Sequence, residues 1–420
     1  YKIKPTIDIS ALNEYAFRYA CGNGHLQLAK WLYQIKPTID ISANSEEAFR
    51  YACQNGHFDI AKWLYEIKPT INVSAQYEFA FIHACENGHL ELAKWLYQIK
   101  PTIDVSACNN FAVRYPCENG HLDIAKWLYE IKPTNVISPD NEDTFHCACE
   151  NGHLEVAKWL YEIKPTIDIS AENDFAFINA CYNGHLEVAK WLYKIKPTIN
   201  VSAENEDAFR WACGNGYLEV AKWLYKIKPT INVSAKNEEA FREACRNGHF
   251  EVAKWLYEIK PTIDVSAKIE DTFRCACKNG HLEVAKWLYE FKPTIIVSAK
   301  NEDTFRCACK NGHLEVAKWL YEIKPTIDIS AKNESAFRFA CSRGHLKLAK
   351  WLYEIKPTIV VSAKNEYAFH HASHFTHFEV VKWLQTLMPY GLYYTFQVGL
   401  NNKIISYSTE KLNYSFLKKR

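Results

Sequence analysis

Tryptophan recurs in this chain at one fixed interval, from Trp31, Trp63 and Trp95 onward to Trp383, twelve times without insertion or deletion. A strict period of this length belongs to stacked supersecondary units, none of which can bury its own apolar face alone. No other feature constrains the fold as tightly. At 420 residues the chain is long for a single core, but a stack grows without enlarging its core. Thirteen of the 15 prolines occupy one column, Pro5 to Pro389, and eleven of the 15 glycines another, Gly24 to Gly344. They are punctuation between units and not low complexity.

One unit reads from Asn205 to Lys236. Asn205 is expected to cap a first helix, with Glu206 and Asp207 in its first turn, where acids suit the helix dipole. Ala208, Phe209, Ala212 and Cys213 form one apolar stripe. Asn215-Gly216 ends this helix, glycine being suited to a left-handed cap. A second helix opens at Tyr217, and Leu218, Val220, Ala221, Trp223, Leu224 and Ile227 give it a broad apolar face. Pro229 stops it. Ile231 and Val233 then alternate with polar residues in an extended connector to Ser234-Ala235. The expected fold class is all-α, a helical solenoid of about twelve helix–turn–helix units over residues 1–388. The chain begins at Tyr1, in the column of Tyr33. The first unit is therefore expected to be cut inside a helix, with further repeats and any targeting segment upstream. Ser373 and Thr376 replace the column cysteine and glycine, which marks a divergent C-terminal cap unit at about 365–388. Residues 389–420 leave the period and form a separate tail, where alternation in Tyr393–Val398 and Lys403–Tyr407 predicts a short hairpin around Asn401-Asn402. Pro116 inside a first helix, with Asn135 and Pro139 in the connector after it, predicts a local kink over 110–140.

The stretch AFRWACGNGYLEVAKWLY, Ala208 to Tyr225, resembles the ankyrin-repeat core TPLHxAAxxGHxxVVxxLL. PTINVSA, Pro229 to Ala235, stands where that family has GADVNA. The resemblance covers residues 1–388 in twelve in-phase copies. The unit has 32 residues where the family has about 33. The segment joining Ala235 to Ala240 is shorter than the family's DxxGxTP hairpin, and alanine replaces the helix-starting proline, so a well-formed β-hairpin finger is not expected. Variants of this kind resemble ankyrin arrays of large DNA viruses and amoebal parasites. The resemblance implies a non-catalytic scaffold that binds a protein through the concave face of the array. It also implies an intracellular setting, cytoplasm or nucleus, including that of an infected host cell.

Other chemistries are weaker readings. Net charge is +2 with 23% charged residues, so no global field points to nucleic acid or a membrane surface. No run of 18 apolar residues could span a membrane, and no signal peptide is visible. Eleven of the fifteen cysteines form one column, Cys21 to Cys341. Stacked helices lie about 8–10 Å apart, beyond the Cα separation of about 7 Å that a disulfide tolerates. The column therefore reads as small buried thiols in a reducing compartment. The pairs Cys147/Cys149, Cys275/Cys277 and Cys307/Cys309 point away from each other around a helix and cannot share a metal. His370, His371, His374 and His377 are the densest set of potential ligands, but zinc needs further partners, so they read as a polar cap. The column histidines, His25 to His345, are expected to make hydrogen bonds between turns. The lysines Lys30 to Lys382 are flanked by acids, as Lys158 is by Glu155 and Glu162, and read as a solvated face. Asn72 and Asn200 match glycosylation sequons but belong to the repeating connector. No nucleophile–base pair, phosphate loop or carboxylate pair stands outside the repeat. No enzyme activity, catalytic residue, cofactor or metal is expected.

The columns that vary are the informative ones. Positions equivalent to Tyr15 and Tyr19 lie four apart on one face of the first helix, opposite the Ala-Phe/Ala-Cys stripe. Aromatic side chains gather there in the first half, and exposed aromatics are the usual anchors of protein interfaces. The expected partner-binding residues are Tyr19, Tyr51, Phe79, His83, Phe111, Tyr115, Phe175 and Trp211, with Tyr15 beside them. Arg18, Arg50, Arg114 and Arg210 are expected to add charge-assisted contacts. Beyond Trp211 the column turns acidic, at Glu239, Asp271 and Asp303, which would orient a partner with a basic end. The partner is a protein of unstated identity, bound by a monomer, with no nucleic acid and no membrane. The alternative is an adaptor whose array holds a client while residues 389–420 recruit a second machine such as a ubiquitin ligase.

Overall fold

The computed structural model describes residues 10–133, 141–263, 269–293, 295, 297, 299–387, 392–398 and 404–411. Among these residues it contains twenty-four helices in twelve consecutive pairs, followed by two strands. The chain divides into two units, Tyr1–Ala208 and Phe209–Arg420.

In the first unit, the helices Ala43–Gln54 and Phe58–Ile67 make a representative pair. Ala48, Phe49, Ala52 and Cys53 are fully buried on the first helix, and Ile60, Ala61 and Leu64 on the second. Ile71 and Val73 of the connector close the core from below. Among the described residues the connectors hold turns and no strands. The turn at Gly56 needs its left-handed backbone (φ 73°), and an added Cβ there would lie 2.5 Å from the ring of His89. Consecutive first helices lie against one another, whereas consecutive second helices stand further apart. The first-helix side is thus the narrow side of each stack.

Neighbouring pairs are joined through contacts at fixed offsets. Trp63 meets Tyr33 of the preceding pair edge-on (6.0 Å) and Phe17 at 6.2 Å, and Trp95 meets Tyr65 and Phe49 in the same way. The tryptophans therefore form a staircase in which an indole rests on the tyrosine and phenylalanine of the pair before it, with Val113 in place of the phenylalanine before Trp159. The carbonyls left over at the end of each first helix are taken up by the next pair. The Glu150 carbonyl accepts from Asn183 Nδ2 (3.0 Å) and from the His185 ring. The Glu118 carbonyl likewise accepts from Asn151 Nδ2 (3.1 Å) and His153. This is the inter-turn role expected of the histidine column.

The start of the first helix departs from expectation. Helical hydrogen bonding covers Ala203–Gly214, but Glu204, Asn205 and Glu206 have left-handed backbones, with φ of 50°, 60° and 67°. Asn205 is not a helix cap, and Glu206 is not a solvated first-turn acid. The same left-handed triplet occurs at Leu12–Glu14, Asn44–Glu46, Gln76–Glu78, Glu172–Asp174, Lys236–Glu238, Lys332–Glu334 and Lys364–Glu366. Asparagine dominates the middle position because it tolerates this region better than other side chains with a Cβ. The third residue is buried in every triplet but the last, where Glu366 is half-buried, and at Glu46 it turns its carboxylate into the connectors. Ser42 donates to Glu46 (2.6 Å), Lys68 of the next connector donates to Ser42, and the Asn72 amide donates to Glu46 (3.3 Å). Asn72 in turn accepts from the Ser74 amide (3.2 Å), so the sequon asparagine is a turn-forming residue.

The helix Ala107–Glu118 runs through Pro116 without a break. Proline near its end forfeits one backbone bond without ending the helix. The rest of the expected disturbance, at 134–140, lies outside the described residues. In the second unit the last pair, Ala363–His374 and Phe378–Leu387, keeps Ser373 fully buried in place of cysteine and Thr376 left-handed (φ 61°) in place of glycine. The strands β1 (Leu392–Val398) and β2 (Ile404–Lys411) pair antiparallel, as the alternation predicts; the turn at Asn401-Asn402 lies outside the described residues.

Candidate functional site

In the first unit, Tyr19 and Tyr51 are exposed at 54% and 39%, and Phe175 at 37%, while Phe79, His83, Phe111 and Tyr115 are half-buried. Pairs within one helix form as the spacing of four predicts. Tyr15 lies 5.7 Å from Tyr19, Phe79 lies 4.0 Å from His83, and Phe111 stacks on Tyr115 at 4.6 Å. Contacts between repeats follow a second rule: Tyr51 meets Phe79 of the next first helix edge-to-face at 5.9 Å. His146 likewise lies 5.8 Å from Phe175. The rings thus interlock along the narrow side of the stack and remain part-exposed, rigid and amphipathic. A recess of about 250 Å³ opens beside them, lined by Tyr15, Tyr19, Gly22, Tyr51 and Asn55 among others. It exists because Gly22 has no side chain; a Cβ there would stand 3.1 Å from that of Tyr51. Trp211 belongs to the second unit, exposed at 39%, with the Arg210 guanidinium 5.8 Å from its ring.

The arginines do not face a partner. Arg18, Arg50 and Arg210 are buried, at 7%, 9% and 3% exposure. Arg18 donates to the Asn13 and Leu12 carbonyls (2.6 and 2.9 Å), and Arg50 to those of Ser45 and Asn44 (2.7 and 3.1 Å). Each thereby satisfies carbonyls of its own left-handed turn. The guanidinium then reaches the next repeat. It meets an acid where one is present, Arg18 pairing with Glu47, and an aromatic ring elsewhere, Arg50 lying 4.8 Å from the Phe79 ring. Arg114, part-exposed, binds Glu118 at 2.5 Å, a bond that raises its pKa. Burial, with Glu86 and Glu118 nearby, pushes the Tyr115 hydroxyl up.

The acidic end also needs correction. Glu239 pairs with Arg210, Asp271 with Arg274 (2.7 Å), and Asp303 with both Arg306 (2.8 Å) and Arg274 (3.3 Å). These carboxylates are internal links within and between repeats and give no free acidic surface. Sequence reasoning missed this because partners such as Arg210 and Glu239 stand almost a full repeat apart, an offset that means contact only once the stacking is known.

The second-helix face carries repeated short-range pairs, such as Lys158–Glu155 (2.7 Å) and Lys190–Glu187 (2.8 Å), as the alternating charges predict. Among the described residues no three metal-ligating side chains converge, and no helix is long and apolar enough to cross a membrane. All fifteen cysteines are free. Of the CxC pairs, Cys149, Cys277 and Cys309 are buried while Cys147, Cys275 and Cys307 are half-exposed.

Comparison with known proteins matches the chain to the family model described as ankyrin repeats (3 copies), at residues 4–77, 117–205, 177–269, 243–333 and 308–390. The crystal structure of the human ASB11 ankyrin repeat domain is similar at 18% identity and a TM-score of 0.34, covering 47% of this chain and 96% of that one. No curated protein matches. Ankyrin repeats are general protein-interaction scaffolds. With twelve in-phase helix pairs, a left-handed glycine turn within each pair among the described residues except at Thr376, and a family match over most of its length, this chain belongs to the ankyrin-repeat family.

Proposed function

We propose that the chain is a non-catalytic scaffold that captures a partner protein on the first-helix face of the unit Tyr1–Ala208. Tyr19, Tyr51, Phe79, His83, Phe111, Tyr115 and Phe175 are the anchors there, and Trp211 is an anchor of the second unit. One observation carries this reading. The part-exposed rings vary from repeat to repeat while the arginines and carboxylates beneath them are consumed in holding the repeats together. Rigid part-exposed aromatics supply contact area at little entropic cost. Fifteen free thiols support action in a reducing, intracellular compartment. The test is site-specific photo-crosslinking in the native cell. A crosslinker at Tyr19 or Phe111 should trap one discrete protein, and one at Lys158 on the second-helix face should not. Trapping at Lys158 alone, or loss of trapping on deleting 389–420, would transfer the function to the outer face or to the adaptor reading.

A further inference from the structure

A recess of about 830 Å³ lies over the last three repeats of the second unit. It is lined by Lys310, Arg343, His345, His371 and His377 with the rings of Phe339, Tyr367 and Phe375, and no carboxylate lines it. Three departures from the repeat produce it. Ser342 replaces the long side chains of its column and folds its hydroxyl onto the Phe339 carbonyl (3.1 Å), which opens the space. Arg343 takes the place of the column asparagine and stands exposed. Tyr367 takes the place of the acids Asp271 and Asp303, which removes the carboxylate that would neutralise the site.

The aromatic wall is fixed from behind. Phe339 meets Tyr367 edge-on at 5.9 Å, Tyr367 lies against His371 at 3.9 Å, and Phe375 stacks on His371 at 6.1 Å. Buried Arg338 lies 5.0 Å from the Tyr367 ring and donates to the Asn333 carbonyl (2.6 Å), so it supports the wall without facing the recess. Lys310 holds its ammonium 5.1 Å from the Phe339 ring. Neither Lys310 nor Arg343 has a carboxylate partner among the described residues. The column of Lys310 is basic before it in this unit, at Arg246 and Lys278, and residues 389–420 carry five basic side chains against one acid. The tail therefore does not complement the recess.

We propose that this recess is a second docking site, chemically distinct from the aromatic face of the first unit, for a short acidic peptide segment of a protein. Arg343 and Lys310 bind its carboxylates, and Phe339, Tyr367 and Phe375 receive an apolar or aromatic side chain between them. Length decides between a peptide and a nucleic acid. Three repeats at about 10 Å each accommodate an extended peptide of roughly eight residues. Towards the preceding repeats Arg274 and Arg306 are taken up by Asp271 and Asp303, so neither guanidinium is offered to a continuous polyanion.

The experiment titrates the full chain against a fluorescein-labelled, glutamate-rich peptide of about eight residues with one central tyrosine, read by anisotropy at low salt. Saturable binding is expected, absent for the glutamine version of the peptide. K310E and R343E should each weaken it about tenfold. Lys310→Gln should weaken it less, with circular dichroism unchanged in every variant. Tyr51→Ala and Phe111→Ala should leave it intact, which separates this site from the one proposed for the first unit. Absence of saturable binding, or binding indifferent to both charge reversals, would overturn the proposal. Tighter binding of an oligothymidine of similar length, lost in the same variants, would overturn it in favour of a single-stranded nucleic-acid site.

Discussion

The histidine column links single residues to the stability of the whole stack. His89, His153, His185, His249, His281, His313 and His345 all have pKa values lowered from 6.5, chiefly by burial, although acceptor carbonyls such as that of Gln54 for His89 pull the other way. A histidine whose folded pKa lies below its unfolded value binds its proton more readily when unfolded. Its contribution is complete above the unfolded pKa and is lost as pH falls through the folded one. The thermal midpoint should therefore begin to drop as pH falls below about 6.5, before ordinary carboxylates start to titrate. Replacing His153 and His185 by glutamine should flatten that slope, and an unchanged slope would show that the rings are not the titrating groups. Cysteine labelling reads the same burial by another route. Burial pushes the Cys21 and Cys117 thiols up to about 12, and Cys147, next to Glu118, to a similar value. Cys108 is the one exposed cysteine among the fifteen. Native-state alkylation should modify Cys108 first and the buried column last, whereas uniform rapid labelling would contradict the assigned core.

At the scale of the element, the least expected feature is the left-handed triplet that opens most of the first helices. Left-handed backbone costs roughly 1–2 kcal/mol per residue with a Cβ, so something must hold three such residues in a row. The arginine of the same helix does so where it is present. Arg338, buried, donates to the Asn333 and Lys332 carbonyls at 2.6 and 3.1 Å, whereas Arg242 makes the same bonds at 2.8 and 3.4 Å from a more exposed position. Arg338→Ala should cost at least about 2 kcal/mol by chemical denaturation, and Arg242→Ala about 1 kcal/mol or less. Equal costs would show that burial of the guanidinium does not matter. Both helices, their apolar stripes, the glycine turn and the solvated lysine face were legible in the sequence, because each follows from contacts three or four residues apart. The left-handed triplet, the buried glutamate beneath it and the arginine staples were not. Their partners lie in the neighbouring repeat, as for Asn72 with Glu46 and Arg18 with Glu47. A pattern of charges at such spacing looks like a surface until the stacking distance is known. The same reasoning explains why Tyr51 and Phe79 could be placed on one face but not recognised as touching.

At the scale of the whole molecule, identical cores carry two different first-helix faces. In the first unit the column of Gln54 continues as Glu86, Glu118 and Glu150 beside the aromatic anchors, and in the second it runs through Arg246, Lys278 and Lys310. No core position requires that change of sign, since the Phe, Ala and Cys columns stay buried in both units. On the proposed function the difference is one of recognition, placed on a scaffold whose stability is set repeat by repeat. The claim at the centre of this account is that partner binding depends on the aromatic face of the first unit. Its most direct test is titration of the trapped partner against Tyr19→Ala, Tyr51→Ala, Phe79→Ala, Phe111→Ala and Tyr115→Ala, with circular dichroism as the control for folding. At least one substitution should cost about 2 kcal/mol or more of binding free energy while the helical signal stays unchanged. Full affinity in all five folded variants would contradict the account.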